Sequence, residues 1–155
     1  MRGPAIMAFS AALLLAACTD SGKYIELGGG GFIFNYRISE ATAGIVVGAV
    51  RTLPEGSVVE ASFQDPGGGQ PIVLRQDVVG KTARFDFTTP PLHGVKVDTP
   101  YAVSVRLLDK DGKELQRIDQ TFRSNVDESV LAAKPLTIGP GYTPNPQLAP
   151  PAKSN

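Results

Sequence analysis

Cysteine occurs once in the 155 residues, histidine once and tryptophan not at all, and 15 basic side chains balance 15 acidic ones. With Cys18 as the only cysteine, no intramolecular disulfide can form, so stability has to come from a core. The chain is long enough for one domain that buries about two-thirds of its unfolded surface, and no solenoid-type repeat is present. Charge balance excludes the basic stripe of a nucleic-acid surface. A lone histidine falls short of the three or four convergent ligands that zinc requires. It also lacks the oriented partners of a nucleophile triad. His93, in Pro91-Leu92-His93-Gly94, is therefore expected as a solvated loop residue.

Long apolar runs are scarce too. The mostly apolar stretch from Ala5 to Ala17 has 13 residues, against about 20 for a membrane-spanning helix. It follows a short n-region whose single charge is Arg2 and stops at the polar Thr19-Asp20-Ser21-Gly22-Lys23. Those are the proportions of a signal-peptide h-region. Soluble secretion wants small residues three and one positions before the cut, and Leu15 is bulky at the outer of these. Leu15-Ala16-Ala17-Cys18 instead resembles the lipobox of bacterial lipoproteins, in which the cysteine becomes a lipidated N-terminus. The competing reading of Cys18 is a small apolar helix residue. By the lipobox resemblance, residues 1–17 are removed, a formal charge of −1 remains, and acylated Cys18 partners the lipid bilayer. One acyl chain anchors only reversibly, whereas two or three hold. Thr19 is not the aspartate that retains many such proteins in the inner membrane, so the resemblance favours the outer membrane, facing the periplasm.

What remains is β-patterned. Residues 18–31 read as a tether ending in Gly28-Gly29-Gly30-Gly31, a hinge because each glycine loses maximal backbone entropy on ordering. A phosphate-cradling loop is excluded by the lack of a following Gly-Lys-Ser/Thr. From Phe32 the period is two, with Phe32, Phe34, Tyr36 and Ile38 on one side. Ala43 to Val50 is a β-branched run, and Leu53-Pro54-Glu55-Gly56 is turn chemistry. Ser57 to Phe63 alternates, with Val59, Ala61 and Phe63 inward and Glu60 and Ser62 outward. Further strands are expected over Pro71–Val79, Ala83–Thr88, Pro100–Leu108 and Glu114–Arg123. Asp109-Lys110-Asp111-Gly112 forms a bulged hairpin between the last two. About seven strands in residues 32–125, with no long amphipathic helix, predict an all-β fold. It is read as an immunoglobulin-like β-sandwich, with a small barrel as competitor.

Residues 126–155 differ in composition. Asn125 to Lys134 can form a short helix capped by Asn125 or Asp127. Six prolines then fall between Pro135 and Pro151, which predicts an extended, mostly unpaired tail. Leu136, Ile138 and Tyr142 are the candidate partner-binding anchors there. No carboxylate pair stands out as acid and base. Asp65, Asp98, Asp109, Asp111 and Asp127 sit where turns recruit aspartate, and the calcium-loop echo at Asp109 to Glu114 is too short in register. No catalytic residue, cofactor, metal site or small-molecule substrate is expected.

Gly48-Ala49-Val50, Leu53-Pro54-Glu55-Gly56-Ser57-Val58-Val59, Phe63-Gln64-Asp65, Phe85-Asp86-Phe87, Tyr101-Ala102-Val103 and Asp111-Gly112-Lys113 together resemble, in order and spacing, the YbaY/YscW-like small lipoproteins. That group includes the pilotin-type chaperone of a type III secretion secretin. The resemblance covers about residues 44–124. It implies a non-catalytic binding or assembly module with an outer-membrane protein client. The alternative is a structural cell-envelope lipoprotein without a dedicated client.

Overall fold

The computed structural model describes residues 22–148. Seven strands build it: β1 (Ile25–Asn35), β2 (Glu40–Ala49), β3 (Val58–Phe63), β4 (Ile72–Asp77), β5 (Arg84–Thr88), β6 (Pro100–Leu108) and β7 (Glu114–Arg123). They form two antiparallel sheets, β1-β2-β5 and β4-β3-β6-β7. The fold is an all-β sandwich, not a closed barrel. A two-stranded ribbon, β8 (Thr137–Ile138) with β9 (Thr143–Pro144), follows, and 3-10 turns lie at Glu128–Val130 and Pro146–Leu148.

Alternation explains the core. Ala41, Ala43, Ile45 and Val47 of β2, Val59, Ala61 and Phe63 of β3, Phe85 and Phe87 of β5, and Tyr101, Val103, Val105 and Leu107 of β6 are all buried. Successive residues of a strand point to opposite faces, so these odd-numbered positions fill the space between the sheets. Across that space the ring of Phe32 meets Tyr101 edge-on at 5.3 Å between centroids. Tyr101 also does what its position at the start of the sixth strand of an immunoglobulin-like sandwich leads one to expect. Its hydroxyl accepts a hydrogen bond from Lys96 N (2.9 Å) and donates to Gly94 O (3.4 Å), turning the corner between β5 and β6.

The fourth strand lies beside β3, whereas in a constant-type immunoglobulin domain it joins the other sheet. The turn decides this. Asp65 accepts from the amides of Gly67 and Gly69 at 2.9 and 3.0 Å, and Gly68 N donates to Asp65 O. Gly68 takes φ +84°, a conformation that favours glycine. The chain therefore folds straight back, and β4 pairs with the strand it has just left.

Four expectations are corrected. Gly28–Gly31 is not a hinge: it lies inside β1, with Gly29 opposite Val46, Gly30 opposite Ile45 and Gly31 opposite Gly44. Ladder hydrogen bonds offset the entropy cost of ordering glycine, and the missing side chain is used. A Cβ on Gly30 would stand 2.6 Å from Phe122 Cζ and 2.7 Å from Gly44 O. Tyr36 and Ile38 do not continue the inward row of Phe32 and Phe34, because β1 ends at Asn35 and they fall in the β1–β2 turn. The helix expected over residues 125–134 shrinks to the single turn Glu128–Val130, and the proline-rich segment as far as Leu148 is paired and turned rather than extended. The Asp127 and Glu128 side chains accept hydrogen bonds from the β5–β6 loop instead of supporting a helix, which explains the shortened helix. The pairing of the proline-rich segment follows from Asn145, described below.

Candidate functional site

The sandwich has two unlike ends. At one, β1 begins, and Val50 N closes onto Tyr24 O at 2.9 Å. At the other, four backbone hydrogen bonds stitch separate loops together. Leu92 N meets Ala41 O (2.7 Å), Glu128 N meets Val95 O (2.9 Å), Asp98 N meets Ser124 O (2.8 Å) and Thr137 N meets Arg37 O (3.0 Å). β1 has 11 residues, so the two ends are separated by roughly 35 Å at about 3.3 Å per residue.

A cleft of about 500 Å³ opens at this second end, lined among others by Ser39, Glu40, His93, Glu128 and Leu131. Glu128 is its best-held charge. One carboxylate oxygen meets His93 Nδ1 at 2.9 Å, and the other accepts a short hydrogen bond from Gly94 N. Burial pulls this carboxyl upward, but the hydrogen bonds from His93 and Gly94, together with the nearby imidazole, outweigh it and hold the group below the ordinary glutamate value. With both oxygens engaged, Glu128 works as a clamp on the loop and not as a free base. Asp127 Oδ1 repeats the device by accepting from Val97 N at 3.0 Å. The His93 side chain is 84% exposed, so the solvated loop histidine expected from sequence stands, with one carboxylate partner added. Ser39 sits in the β1–β2 turn at φ +55°, its buried hydroxyl without a hydrogen-bond partner among the described residues. No group of three or more His, Cys, Asp or Glu is placed to hold a metal ion among the described residues.

The same end carries exposed apolar side chains. Tyr36 precedes Arg37 in the turn, and the Tyr142 ring lies 5.3 Å from the Arg37 guanidinium. Leu136 and Ile138, on either side of the Thr137 that docks on Arg37, are 52% and 42% exposed. Asn145 fixes the ribbon that presents them. It is buried, its amide donates to Leu136 O at 3.0 Å, and its side chain donates to Pro135 O at 2.8 Å. Leu136, Ile138 and Tyr142, named separately from sequence, are thus carried to one end on a ribbon that docks on Arg37.

A second depression, of about 580 Å³, lies on the outer face of the four-stranded sheet between the Asp65 turn and Asp119. Its acidic groups are already engaged, Asp65 by glycine amides and Asp119 by Arg117 at 3.0 Å. Next to it, Glu60 is 3% exposed although it faces outward, because Arg75 and Arg106 from the two flanking strands cover it. Burial raises this carboxyl, and the hydrogen bonds and charges of Arg106 and Arg75 more than reverse the effect, leaving it below the usual glutamate value.

No protein-family model and no curated protein matches the chain. Solved structures do. One is a calcium-binding mutant of beta-glucuronidase 2 from Bacteroides uniformis, 15% identical, with a TM-score of 0.45 over 64% of this chain and 13% of that one. Another is wild-type OgpA from Akkermansia muciniphila, 13% identical, with a TM-score of 0.41 over 66% of this chain and 28% of that one. A third is an endonuclease/exonuclease/phosphatase from Beutenbergia cavernae, 10% identical, with a TM-score of 0.33 over 61% and 27%. The chain spans well under a third of each, and their activities stay with those larger molecules.

Cys18, the lipidation candidate, lies outside the described residues. Sequence reading missed the Glu128 clamp, the buried Glu60 and the Asn145 anchor. Pro144-Asn145-Pro146 was legible as a turn signal, but nothing local marks Glu60, whose partners come from two other strands.

Proposed function

We propose that this chain is a lipid-anchored, non-catalytic binding or assembly module of the bacterial cell envelope, pilotin-like in holding a segment of an outer-membrane or secretion-system protein. The observation that carries this reading is the polarity of the sandwich. The chain enters β1 at one end, and at the other the ribbon that bears exposed Leu136, Ile138 and Tyr142 docks on Arg37. A protein tethered through Cys18 would present that cluster away from the bilayer, roughly 35 Å along β1. Exposed apolar side chains gathered on a fixed ribbon are what a partner surface offers. The resemblance of residues 44–124 to YbaY/YscW-like lipoproteins points the same way.

Crosslinking in intact membranes, followed by affinity capture of the full chain, tests this. One stoichiometric envelope protein should be recovered, and it should be lost with Leu136→Lys/Ile138→Lys. Cys18→Ser should abolish lipid labelling and release the protein from the membrane fraction. A processed, membrane-bound Cys18→Ser product would overturn the anchor. Recovery of no specific partner would overturn the module and leave a structural lipoprotein.

A further inference from the structure

The edges of the two sheets are not equally open. β1 and β7 close on each other: Gln116 of β7 accepts from Tyr24 N (2.6 Å) and Ile25 N (3.0 Å) and donates to Ile25 O (2.7 Å). Phe122 lies against Gly30. On the opposite side, β5 is only five residues long, and its central outward carbonyl, Asp86 O, takes Gln76 Nε2 at 2.7 Å. β4 is different. Val78 N donates to Ser57 O, and antiparallel pairs alternate between bonded and non-bonded. Residues 72, 74, 76 and 78 therefore direct their backbone groups at β3, while Val73, Arg75 and Asp77 direct theirs outward. No backbone hydrogen bond from those three to another strand is present among the described residues. Their side chains share the outer face with Glu60, since Glu60 pairs with Arg75.

We propose that the β4 edge is the self-association surface of this protein, pairing antiparallel with β4 of a second copy about a two-fold axis at Gln76. Parity and charge select this register. Two outward residues must oppose each other for their backbones to bond, so the paired numbers must both be odd or both be even. Among the registers this allows, the one centred on Arg75 sets Arg75 against itself and Val73 against Asp77. The one centred on Leu74 brings in Pro71, which has no amide to give. The register centred on Gln76 sets Arg75 opposite Asp77 of the other copy, twice, with two backbone hydrogen bonds per pair. It also brings the side chain of Val73, 48% exposed, against that of Val79, 72% exposed, which follows β4 in a turn where Thr82 holds its carbonyl. Asp77 has no ion pair among the described residues, and Arg75 of the second copy, held on its own Glu60 through Nε and Nη2, meets it through the remaining Nη1. Opposite charges directly across a strand pair stabilise it and like charges oppose it. Each four-stranded sheet would become half of an eight-stranded one, a self-complementary interface of the kind a two-fold requires. The inference does not depend on lipidation or on the envelope partner.

The test uses residues 19–155, which hold every described element and contain no cysteine. Sedimentation velocity across a concentration series should reveal a reversible dimer. Asp77→Arg, at an exposed position whose backbone groups point away from β3, should weaken it at least about tenfold, with the melting temperature unchanged when both proteins are monomeric by dilution. Gln76→Cys should form an interchain disulfide on mild oxidation, because facing non-bonded residues stand about 4.5 Å apart at Cα, within disulfide reach. Val73→Cys should not, because it faces Val79 and not itself. A monomer at every concentration overturns the proposal, including the case in which an unrelated extended peptide binds the edge instead. So does a dimer indifferent to Asp77→Arg, or crosslinking through residue 73 in preference to 76.

Discussion

Gly30→Ala separates a strand from a hinge by the sign of its effect. In a flexible tether, replacing glycine with alanine is neutral or stabilises by up to about 1 kcal/mol, because the unfolded chain loses freedom. In β1 the new methyl would stand 2.6 Å from Phe122 Cζ, 2.7 Å from Ile45 Cγ2 and 2.7 Å from Gly44 O. The two side-chain atoms can yield by repacking, but the carbonyl belongs to the β2 ladder and moves only with its strand. Forcing a group into such a space typically costs about 1–3 kcal/mol. For a domain of this size that lowers the melting temperature by about 4 °C per kcal/mol. Gly31→Ala is the internal control, since nothing lies within 4 Å of its Cβ position. Urea unfolding of residues 19–155 should place Gly30→Ala below the parent and Gly31→Ala level with it or slightly above. Equal or greater stability of Gly30→Ala would refute both the strand assignment of the glycine run and the approach of β7 to β1.

Two further outcomes follow from buried polar groups. Tyr101→Phe keeps the ring contact with Phe32 but leaves Lys96 N without its acceptor, which should cost about 1–2 kcal/mol in urea unfolding. An unchanged midpoint would mean that the corner is held by packing alone. Glu60 is depressed in the folded state, so its stabilisation is present above the ordinary glutamate value and is lost as pH falls through its folded value. Glu60→Gln should flatten the acid side of the stability-pH curve. The residual acid slope should then respond to Glu128→Gln, whose carboxyl is depressed in the same direction. An acid limb that Glu60→Gln leaves intact would show that the Arg75 and Arg106 pairs contribute nothing net.

Six of the seven main strands, and the first only from Phe32 to Asn35, were legible because their signal is local. A period of two over five to ten residues, punctuated by Pro54-Glu55-Gly56, Pro66-Gly67-Gly68 and Asp111-Gly112, is enough to count strands and to name the odd-numbered core residues of β3, β5 and β6. The glycine run was misread for the same reason. Four glycines have no side-chain pattern, and the information that orders them sits in Ile45, Gly44 and Phe122, 14 to 92 positions away. At the candidate site, Leu136, Ile138 and Tyr142 could be named as apolar residues in a polar, proline-rich stretch, but their convergence on Arg37 spans about a hundred residues.

Sequence by itself determined the all-β class, the core-facing rows of β3, β5 and β6, the turns built on Asp65 and Asp109, and the single cysteine at position 18. Each depends on neighbours within a few positions. Tertiary structure alone decided which sheet received β4, that Gly30 is a point of close approach, that Glu60 is buried between two arginines, and that the ribbon after Pro135 docks on the β1–β2 turn. Those depend on which strands lie side by side, and alternation within a strand says which face a residue occupies without saying what stands across from it.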